Sequence, residues 1–300
     1  MKKKMLFFVN PNAGHAAIRS SLMDVLQIFS AGGYDVTVHP TTGPKNLTHE
    51  IVSRGAQFDL IVCTGGDGTL NEAVSGLMQL PADKRPPLGY IPGGTVNDVA
   101  ATLGLSKNVV TAAQDIIGGK PFAMDVGSFC GTKWFVYVAA FGLFTDVSYE
   151  TSQEDKRAFG RLAYLLEGVR ALSDVRAIPT CIECEGERKK ADVLDGLVCS
   201  TTSVGGFRPR GDLEVSLNDG KAEIVLVKDI KNLIDFGNVA GCLLRLELQN
   251  DSFISYQSGQ AHFHFDAPVS WTLDGEYGGD WQDVDIQIHQ QAIRMIIPEK

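Results

Sequence analysis

The chain has 300 residues, 44% of them hydrophobic and 21% charged, a balance that is typical of globular proteins and excludes disordered and fibrous ones. Its net charge of −9 argues against a nucleic-acid partner, because nucleic-acid binding depends on concentrated positive charge. The longest apolar stretch, residues 134–144, is far shorter than the ~20 residues that a helix needs to cross a membrane, so we expect no transmembrane segment.

Residues 1–126 alternate apolar runs with amphipathic stretches, which is typical of strand–helix–strand units around a parallel sheet. The predicted strands are residues 5–9, 34–39, 58–64 and 88–91. A helix is predicted over residues 16–31, where apolar side chains share one face and two glycines follow. We therefore expect an α/β nucleotide-binding domain with a doubly wound, mostly parallel sheet.

Residues 127–289 have a different pattern, in which short β-rich runs alternate with Gly, Asp and Asn turns. The predicted strands are residues 134–140, 181–185, 194–201, 222–227, 261–265 and 284–289, with helical patterns at 157–172 and 231–244. This series predicts a second domain, an antiparallel β-sandwich, that shares a cleft with the first. Residues 290–300, the tail, are a candidate extension of the first domain.

Six cysteines are scattered through the chain and mostly lie in apolar, strand-like runs, where a free thiol behaves as a small core residue. We therefore expect a reducing compartment and a cytoplasmic protein. The apolar run at residues 5–9 is too short for a secretion signal and predicts a first strand instead.

The strongest chemical signal is the stretch 64–72, Thr-Gly-Gly-Asp-Gly-Thr-Leu-Asn-Glu, which directly follows a predicted strand. Its three glycines allow a bulky anion to approach the backbone. Thr69 and Glu72 have the spacing of a capping box, which predicts that a helix begins at this turn. Free N–H groups and the positive end of the helix dipole would then face the loop and cradle a phosphate.

Two further strand-to-helix turns repeat this design, at 10–14 and at 92–98, where Thr95 and Asp98 again predict a helix cap. Turns of this kind on the carboxyl edge of a parallel sheet form a nucleotide site. The principal loop carries Asp67 where a P-loop would carry lysine, so a divalent cation must separate it from phosphate. Asp67, Asp98 and Asp125 therefore predict bound Mg²⁺.

These three turns, together with Asp-Gly-Glu-Tyr-Gly-Gly at 274–279, resemble the diacylglycerol kinase catalytic-domain family, which includes soluble bacterial diacylglycerol kinases and sphingosine kinases. The resemblance covers nearly the whole chain and implies a lipid kinase that depends on ATP and Mg²⁺. It implies ATP contacts at Asn10, Pro11, Asn12, Ala13, Gly14, Thr41, Gly66, Asp67, Gly68, Thr69, Leu70, Asn71, Glu72 and Thr95. The glycine turns themselves add Gly65, Gly94 and Asn97.

The resemblance also implies a structural Mg²⁺ at Asp219, with Ser216 and Lys221 as carbonyl ligands. A plain hairpin turn is the alternative at this point, because Asp-Gly is a strong turn signal. The preceding residues, 210–214, depart from the usual sequence of the family, which leaves the local geometry open.

Asp274 and Glu276 flank a glycine, which is also a hairpin signal. The resemblance implies that one of these two carboxylates is the general base for the lipid hydroxyl, and the sequence does not choose between them. Asp67 is a further catalytic candidate. The implied acceptor is diacylglycerol or a related lipid, which a cytoplasmic protein would meet peripherally at the inner membrane surface. An exposed edge of the second domain could pair into a homodimer.

Two alternatives remain open. An NAD kinase also carries a Gly-Gly-Asp-Gly-Thr loop, but the Asn-Pro-x-x-Gly opening and the Asp-Gly-Glu turn favour a lipid kinase. A catalytically silent regulator that binds nucleotide or lipid would show a damaged loop or missing carboxylates, and this sequence shows neither.

Overall fold

The computed structural model describes residues 2–11, 17–142, 177–200, 216–229 and 251–299. It shows an α/β protein whose later part is rich in strands. The predicted helices at 157–172 and 231–244 lie outside the described residues, as do the predicted site residues Asn12, Ala13 and Gly14.

Four parallel strands form the first part of the sheet. They are β1 (Lys3–Val9), β2 (Tyr34–Pro40), β3 (Leu60–Gly65) and β4 (Leu88–Pro92), and they lie in the order β4-β3-β1-β2. Every residue of β3 and β4 is buried, as expected for parallel strands that are covered on both faces. The carboxyl ends of β1, β3 and β4 are therefore neighbours at one edge of the sheet.

Helices cover both faces of these strands. The helices are α1 (Ala17–Ala31), α2 (Asn46–Arg54), α3 (Asp67–Met78), α4 (Asp98–Leu103) and α5 (Val109–Gly118). Neighbouring residues of β1 belong to opposite faces: Phe8 packs in the core with residues of α2 and α3, whereas Phe7 packs against Phe29 of α1. Among the described residues, no helix combines the length and the apolar character that crossing a membrane requires.

The strands of the later part pair antiparallel with one another. They are β5 (Lys120–Phe129), β6 (Lys133–Phe135), β7 (Val138–Gly142), β8 (Ile178–Cys184), β9 (Glu187–Cys199), β10 (Ala222–Lys228), β11 (Phe253–Ser258), β12 (Gln260–Leu273) and β13 (Glu276–Ile297). A second core lies among them, in which Trp271 packs against Phe129, Phe141 and Phe263. The doubly wound order, the sandwich and the division into two domains stay predictions.

The last strand, β13, links the two parts of the fold. It is 22 residues long and pairs with β12 in its first half and with β5 further on. Near its end, Met295 pairs in parallel with Leu88 of β4. Met295 and Ile293 are buried in the same core as α2 and α3. The strand that begins beside one part of the molecule therefore ends beside the parallel sheet.

The structure breaks the predicted strand at 134–140 into β6 and β7. The backbone N–H groups of Val136, Tyr137 and Val138 donate to the carboxylate of Asp274 instead of to a neighbouring strand. The apolar pattern predicted the burial of this segment correctly. The prediction of one strand was wrong because a distant buried carboxylate takes the donors that a continuous ladder would use.

Candidate active site

The glycine turns after β3 and β4 touch through their backbones. Gly93 donates a 2.7 Å hydrogen bond from its N–H to Gly65 O, and a Cβ added to Gly94 would lie 2.7 Å from the Cα of Gly66. A side chain at position 94 does not fit between backbones this close, so the contact requires glycine there. Asn10, which follows β1, joins the turns through a 3.3 Å hydrogen bond from its N–H to the end of β3.

Helix α3 begins at Asp67, and the predicted capping box is wrong. The glycine before it is the N-cap, because β3 ends only one residue earlier, and no side chain caps the helix. Thr69 lies inside the first turn and accepts a 3.2 Å hydrogen bond from Asn10 Nδ2. Glu72 accepts instead from the N–H of Lys45, at 3.0 Å. The first N–H groups of α3 are therefore not used by a side-chain cap and can meet an anion.

Helix α4 begins at Asp98, and its N-cap is Asn97 rather than the predicted Thr95. Asn97 has left-handed dihedral angles, φ 57° and ψ 58°, which asparagine tolerates better than most residues. Its buried side chain accepts from the N–H of Gly94 at 2.9 Å and donates to the Gly94 carbonyl at 2.7 Å. Its own N–H donates to Asp67 Oδ2 at 2.9 Å. Asn97 thus fixes one turn to the acidic residue of the other.

Tyr90 supports both turns from within β4, although its sequence pattern indicates only a core residue. Its hydroxyl lies 2.9 Å from Gly65 O and 3.2 Å from Asn97 Oδ1, so it can donate to either oxygen. A buried tyrosine hydroxyl needs such a partner. The sequence carries no signal for this role beyond the position of Tyr90 directly before the second glycine turn.

The carboxylate of Asp67 gives the strongest indication of a cation site. Asp67 Oδ1 is buried and has no hydrogen-bond partner among the described residues. Burial, and then the charge of Asp98, raise the pKa of Asp67 to about 6. A buried carboxylate oxygen without a partner is unfavourable, and a divalent cation would relieve it.

The chemistry of these residues fits Mg²⁺. No three His, Cys, Asp or Glu side chains within the described ranges form a complete metal cluster. Mg²⁺ does not require one, since it usually keeps bound water and combines one or two carboxylates with phosphate oxygens. Asp67 and Asp98 would be the protein ligands of such a shared site.

Asp274 is a buried carboxylate with four hydrogen-bond donors. The backbone N–H groups of residues 136–138 donate to it over 2.7–3.1 Å, and Asn71 Nδ2 donates at 2.7 Å. Burial raises the pKa of Asp274, and the hydrogen bonds oppose this shift. Positive φ angles of 52° at Asp274 and 83° at Gly275 form the tight turn between β12 and β13. The hairpin interpretation is therefore correct, and the turn also belongs to the site.

Glu276 faces the phosphate loop from the other side. It is the exposed first residue of β13, and a Cβ added to Gly68 of α3 would lie 3.6 Å from Glu276 Oε1. Asn71 bridges the same gap, because it donates to Asp274 and also, at 2.9 Å, to the carbonyl of Trp134. The fold thus brings residues that are about 200 positions apart in sequence into one site.

The remaining predicted ATP contacts have varied surroundings. Leu70 is fully buried in the core, so its side chain supports the loop from below. The N–H of Thr41 donates a 2.9 Å hydrogen bond to the end of β1, and the Pro11 carbonyl accepts from Arg19. Thr95 is exposed. The contacts of these residues with ATP stay predictions.

Asp125 lies beside Asp219 and not with the acidic residues of the phosphate turns, which corrects the predicted grouping. Its buried carboxylate accepts from the N–H groups of Gly220 at 2.7 Å and Gln291 at 2.6 Å. Burial raises its pKa, and the Asp219 charge contributes in the same direction. Asp219 itself is exposed and accepts from the N–H of Lys221 at 3.0 Å. Asp125 therefore shapes this second loop, and the structural Mg²⁺ there stays a prediction.

Comparisons with known proteins agree with this arrangement. The family model "Diacylglycerol kinase catalytic domain" matches residues 4–129. A diacylglycerol kinase of Bacillus subtilis (strain 168) is 35% identical over 303 residues, which cover 100% of this chain and 98% of the relative. A diacylglycerol kinase of Staphylococcus saprophyticus is 31% identical, over 93% of this chain and 90% of the relative.

Solved structures extend the likeness to the whole fold. The structure of a candidate diacylglycerol kinase from Bacillus anthracis str. Sterne has a TM-score of 0.84 and 26% identity, and the match covers 99% of this chain and 95% of that one. The family-model match contains Asn10 and the two glycine turns that meet at the sheet edge, and the relatives match over the β-rich part as well. This chain is therefore a kinase and belongs to the diacylglycerol kinase family.

Proposed function

We propose that this protein transfers the γ-phosphoryl group of ATP to the hydroxyl of diacylglycerol, which gives phosphatidic acid. The observation that carries this proposal is the meeting of two features across the site. One is the glycine-rich start of α3, where an Asp67 oxygen has no partner among the residues that the structure describes, and the other is the Glu276 carboxylate opposite Gly68. The first feature suits a triphosphate, and the second suits the hydroxyl that attacks it.

The glycine turns and the N–H groups of α3 would hold and orient the phosphates. Phosphoryl transfer requires mainly positioning and the neutralisation of charge. Bound Mg²⁺, held by Asp67 and Asp98, would supply that neutralisation. Asn97 and Tyr90 keep the two turns in register, so their contribution is to positioning.

Glu276 is the better general base of the two carboxylates on the turn. A carboxylate offers about four acceptor positions, and the four donors around Asp274 fill them. Glu276 is exposed and near Gly68, where it can accept the proton of the lipid hydroxyl as the oxygen attacks phosphorus. We assign the proton to Glu276, and we assign to Asp274 the positioning of the turn.

We propose diacylglycerol as the acceptor because the relatives are named diacylglycerol kinases. A lipid of this kind resides in a membrane, so we place the protein in the cytoplasm, peripheral to the membrane surface. Dimerisation through an exposed strand edge is part of the same proposal. Sphingosine, monoacylglycerol, phosphatidylglycerol and undecaprenol are the acceptors to compare.

The test is phosphoryl transfer from labelled ATP to diacylglycerol in mixed micelles with Mg²⁺. Glu276→Gln should lower kcat by about 10²–10⁴-fold, the range for loss of a general base, and leave the urea midpoint unchanged because the side chain is exposed. Glu299→Gln, which removes another exposed carboxylate, is the matched control and should keep full activity. Asp274→Asn should lower both activity and stability, because an amide cannot accept from all four donors.

Label that enters NAD and none of the lipids would replace this proposal with the NAD kinase alternative. Binding of ATP without transfer to any acceptor would favour a silent regulator. Full activity of Glu276→Gln together with an inactive, stably folded Asp274→Asn would reverse the assignment of the base.

A further inference from the structure

Tyr137 lies between the two parts of the site, which are the start of α3 and the turn that carries Asp274 and Glu276. Its backbone N–H donates to Asp274 Oδ1 at 2.9 Å, and its ring is buried in the core that also contains Leu70 of α3. A Cβ added to Gly275 would lie 3.7 Å from the Tyr137 hydroxyl oxygen. The hydroxyl therefore lies beside the turn that carries Glu276.

The Tyr137 hydroxyl differs from that of Tyr90 in having no hydrogen-bond partner within the part of the chain that the structure describes. Tyr90 is bonded to two oxygens of the glycine turns. By contrast, no described residue is hydrogen-bonded to the Tyr137 hydroxyl. The hydroxyl oxygen is not one of the fully buried unpartnered atoms of the described residues, so it reaches the surface of the site, where a ligand can accept its hydrogen bond.

The surroundings keep this hydroxyl protonated. Burial raises the pKa of Tyr137, and carboxylate charges act in the same direction. In decreasing order of effect, these charges are Asp274, Asp67, Asp98 and Glu276. A neutral hydroxyl close enough to feel four carboxylates is a donor that adds no charge to the site.

We propose that the Tyr137 hydroxyl donates a hydrogen bond to a non-bridging oxygen of the transferring γ-phosphoryl group. This inference rests on the proposed function. The bond from the lipid oxygen to phosphorus forms while the bond to the leaving oxygen of ADP breaks, and the lipid proton passes to Glu276. Tyr137 keeps its own proton throughout and stabilises the negative charge on the phosphoryl oxygens.

Tyr137→Phe tests this role, because it removes the hydroxyl and keeps the ring. We expect kcat for lipid phosphorylation to fall about 10–100-fold, as for other lost donors to a developing charge. The KM values for ATP and lipid should change less than about 2-fold, since the bond strengthens in the transition state. Slow hydrolysis of ATP by water should fall by the same factor. Tyr256→Phe, which removes a hydroxyl on β11, is the matched control and should change none of these values.

A binding measurement gives a second readout. Calorimetric titration with Mg²⁺, ADP and aluminium fluoride, a mimic of the transferring phosphoryl group, should show about 10-fold weaker binding by Tyr137→Phe. Binding of ADP alone should not change. Equal binding of the mimic by both proteins would overturn the proposal, and so would a loss of lipid transfer with unchanged hydrolysis, which would assign the hydroxyl to the lipid. If the unmodified protein phosphorylates no lipid at all, the proposed function fails first.

Discussion

The Asp67 carboxylate is held in an unfavourable state when no cation is present. Among the described residues its buried oxygen Oδ1 has no partner, and burial, followed by the charge of Asp98, raises its pKa from 3.8 to about 6. Ionisation of this group therefore opposes folding at neutral pH. Sites that bind charged substrates often retain residues that stability alone would not select. Asp67 fits this description, because the negative charge that destabilises the fold would bind the metal ion of a metal-bound triphosphate.

We predict that Asp67→Asn changes the pH dependence of stability. A folded-state pKa above that of the unfolded chain means that the folded protein holds the proton more tightly. The stabilising contribution is complete below about pH 4 and is lost as the pH rises through about 6. In metal-free buffer, the wild type should lose about 1–3 kcal/mol relative to the variant between pH 4 and pH 8.

Urea denaturation at both pH values measures this difference. Asp83→Asn, which replaces an exposed carboxylate outside the site, should run parallel to the wild type. A constant difference between wild type and Asp67→Asn at all pH values would show that the carboxylate has an ordinary pKa.

At the scale of elements, the two glycine turns act as one unit because their backbones are in contact. Gly93 and Gly65 are hydrogen-bonded, and Gly94 has no space for a side chain beside Gly66. The N-terminal end of α3 and the start of α4 are thereby held at a fixed separation. Such a rigid frame favours the binding of a phosphate chain, because little conformational entropy is lost on binding.

Gly94→Ala should separate the turns. Its new Cβ would approach both the Gly66 Cα and the Asn97 side chain closely. We expect the KM for ATP to rise at least ~10-fold and the free energy of unfolding to fall by about 1–3 kcal/mol. Gly118→Ala, at the end of α5, meets no atom within 4 Å and should leave the KM unchanged. An unchanged KM in Gly94→Ala would show that the turns need not touch.

The sequence predicted these turns well and their helix caps poorly. Glycine clusters after apolar strands are local signals, so the turns near Gly66 and Gly94 could be found directly. Both caps were predicted from a Thr-x-x-acid spacing, whereas the helices begin as soon as the strand and turn allow, at Asp67 and Asp98. The cap depends on the contact between two turns, and no local pattern records that contact.

At the scale of the whole molecule, the site depends on long-range pairing. Asp274 breaks a predicted strand by attracting the backbone of residues 136–138, and β13 joins both parts of the fold. Neither feature could be predicted from the sequence, because a carboxylate does not indicate which distant donors it will meet. The Asp-Gly-Glu motif could be predicted to matter, but its partners could not.

We predict that the two parts unfold together, because β13 contributes to both. Cys63 in β3 reports on the first part: burial raises its pKa to about 12, so the thiol stays unreactive until β3 is exposed. In a Trp134→Phe background, which removes the tryptophan that packs against the first core, fluorescence reports on the second part through Trp271 and Trp281. Ile293→Ala in β13 should lower both urea midpoints equally, with a loss of about 2–4 kcal/mol.

Labelling of Cys63, followed by mass spectrometry of its peptide, and fluorescence should give coincident transitions in the same urea series. Val38→Ala, on the exposed side of β2, should shift neither midpoint appreciably. Two separate transitions would show that the parts are independent folding units.

The place of β13 in the chain also has a consequence for biosynthesis. The edge of β4 and the first half of β5 receive their partner only when residues 293–297 have left the ribosome. A nascent polypeptide that already contains both glycine turns has an unfinished sheet until then, and while it is shorter than 276 residues it also lacks Glu276. We therefore expect that partial translation products neither bind nor hydrolyse nucleotide. The protein would become catalytically competent only after β13 has been synthesised and has paired.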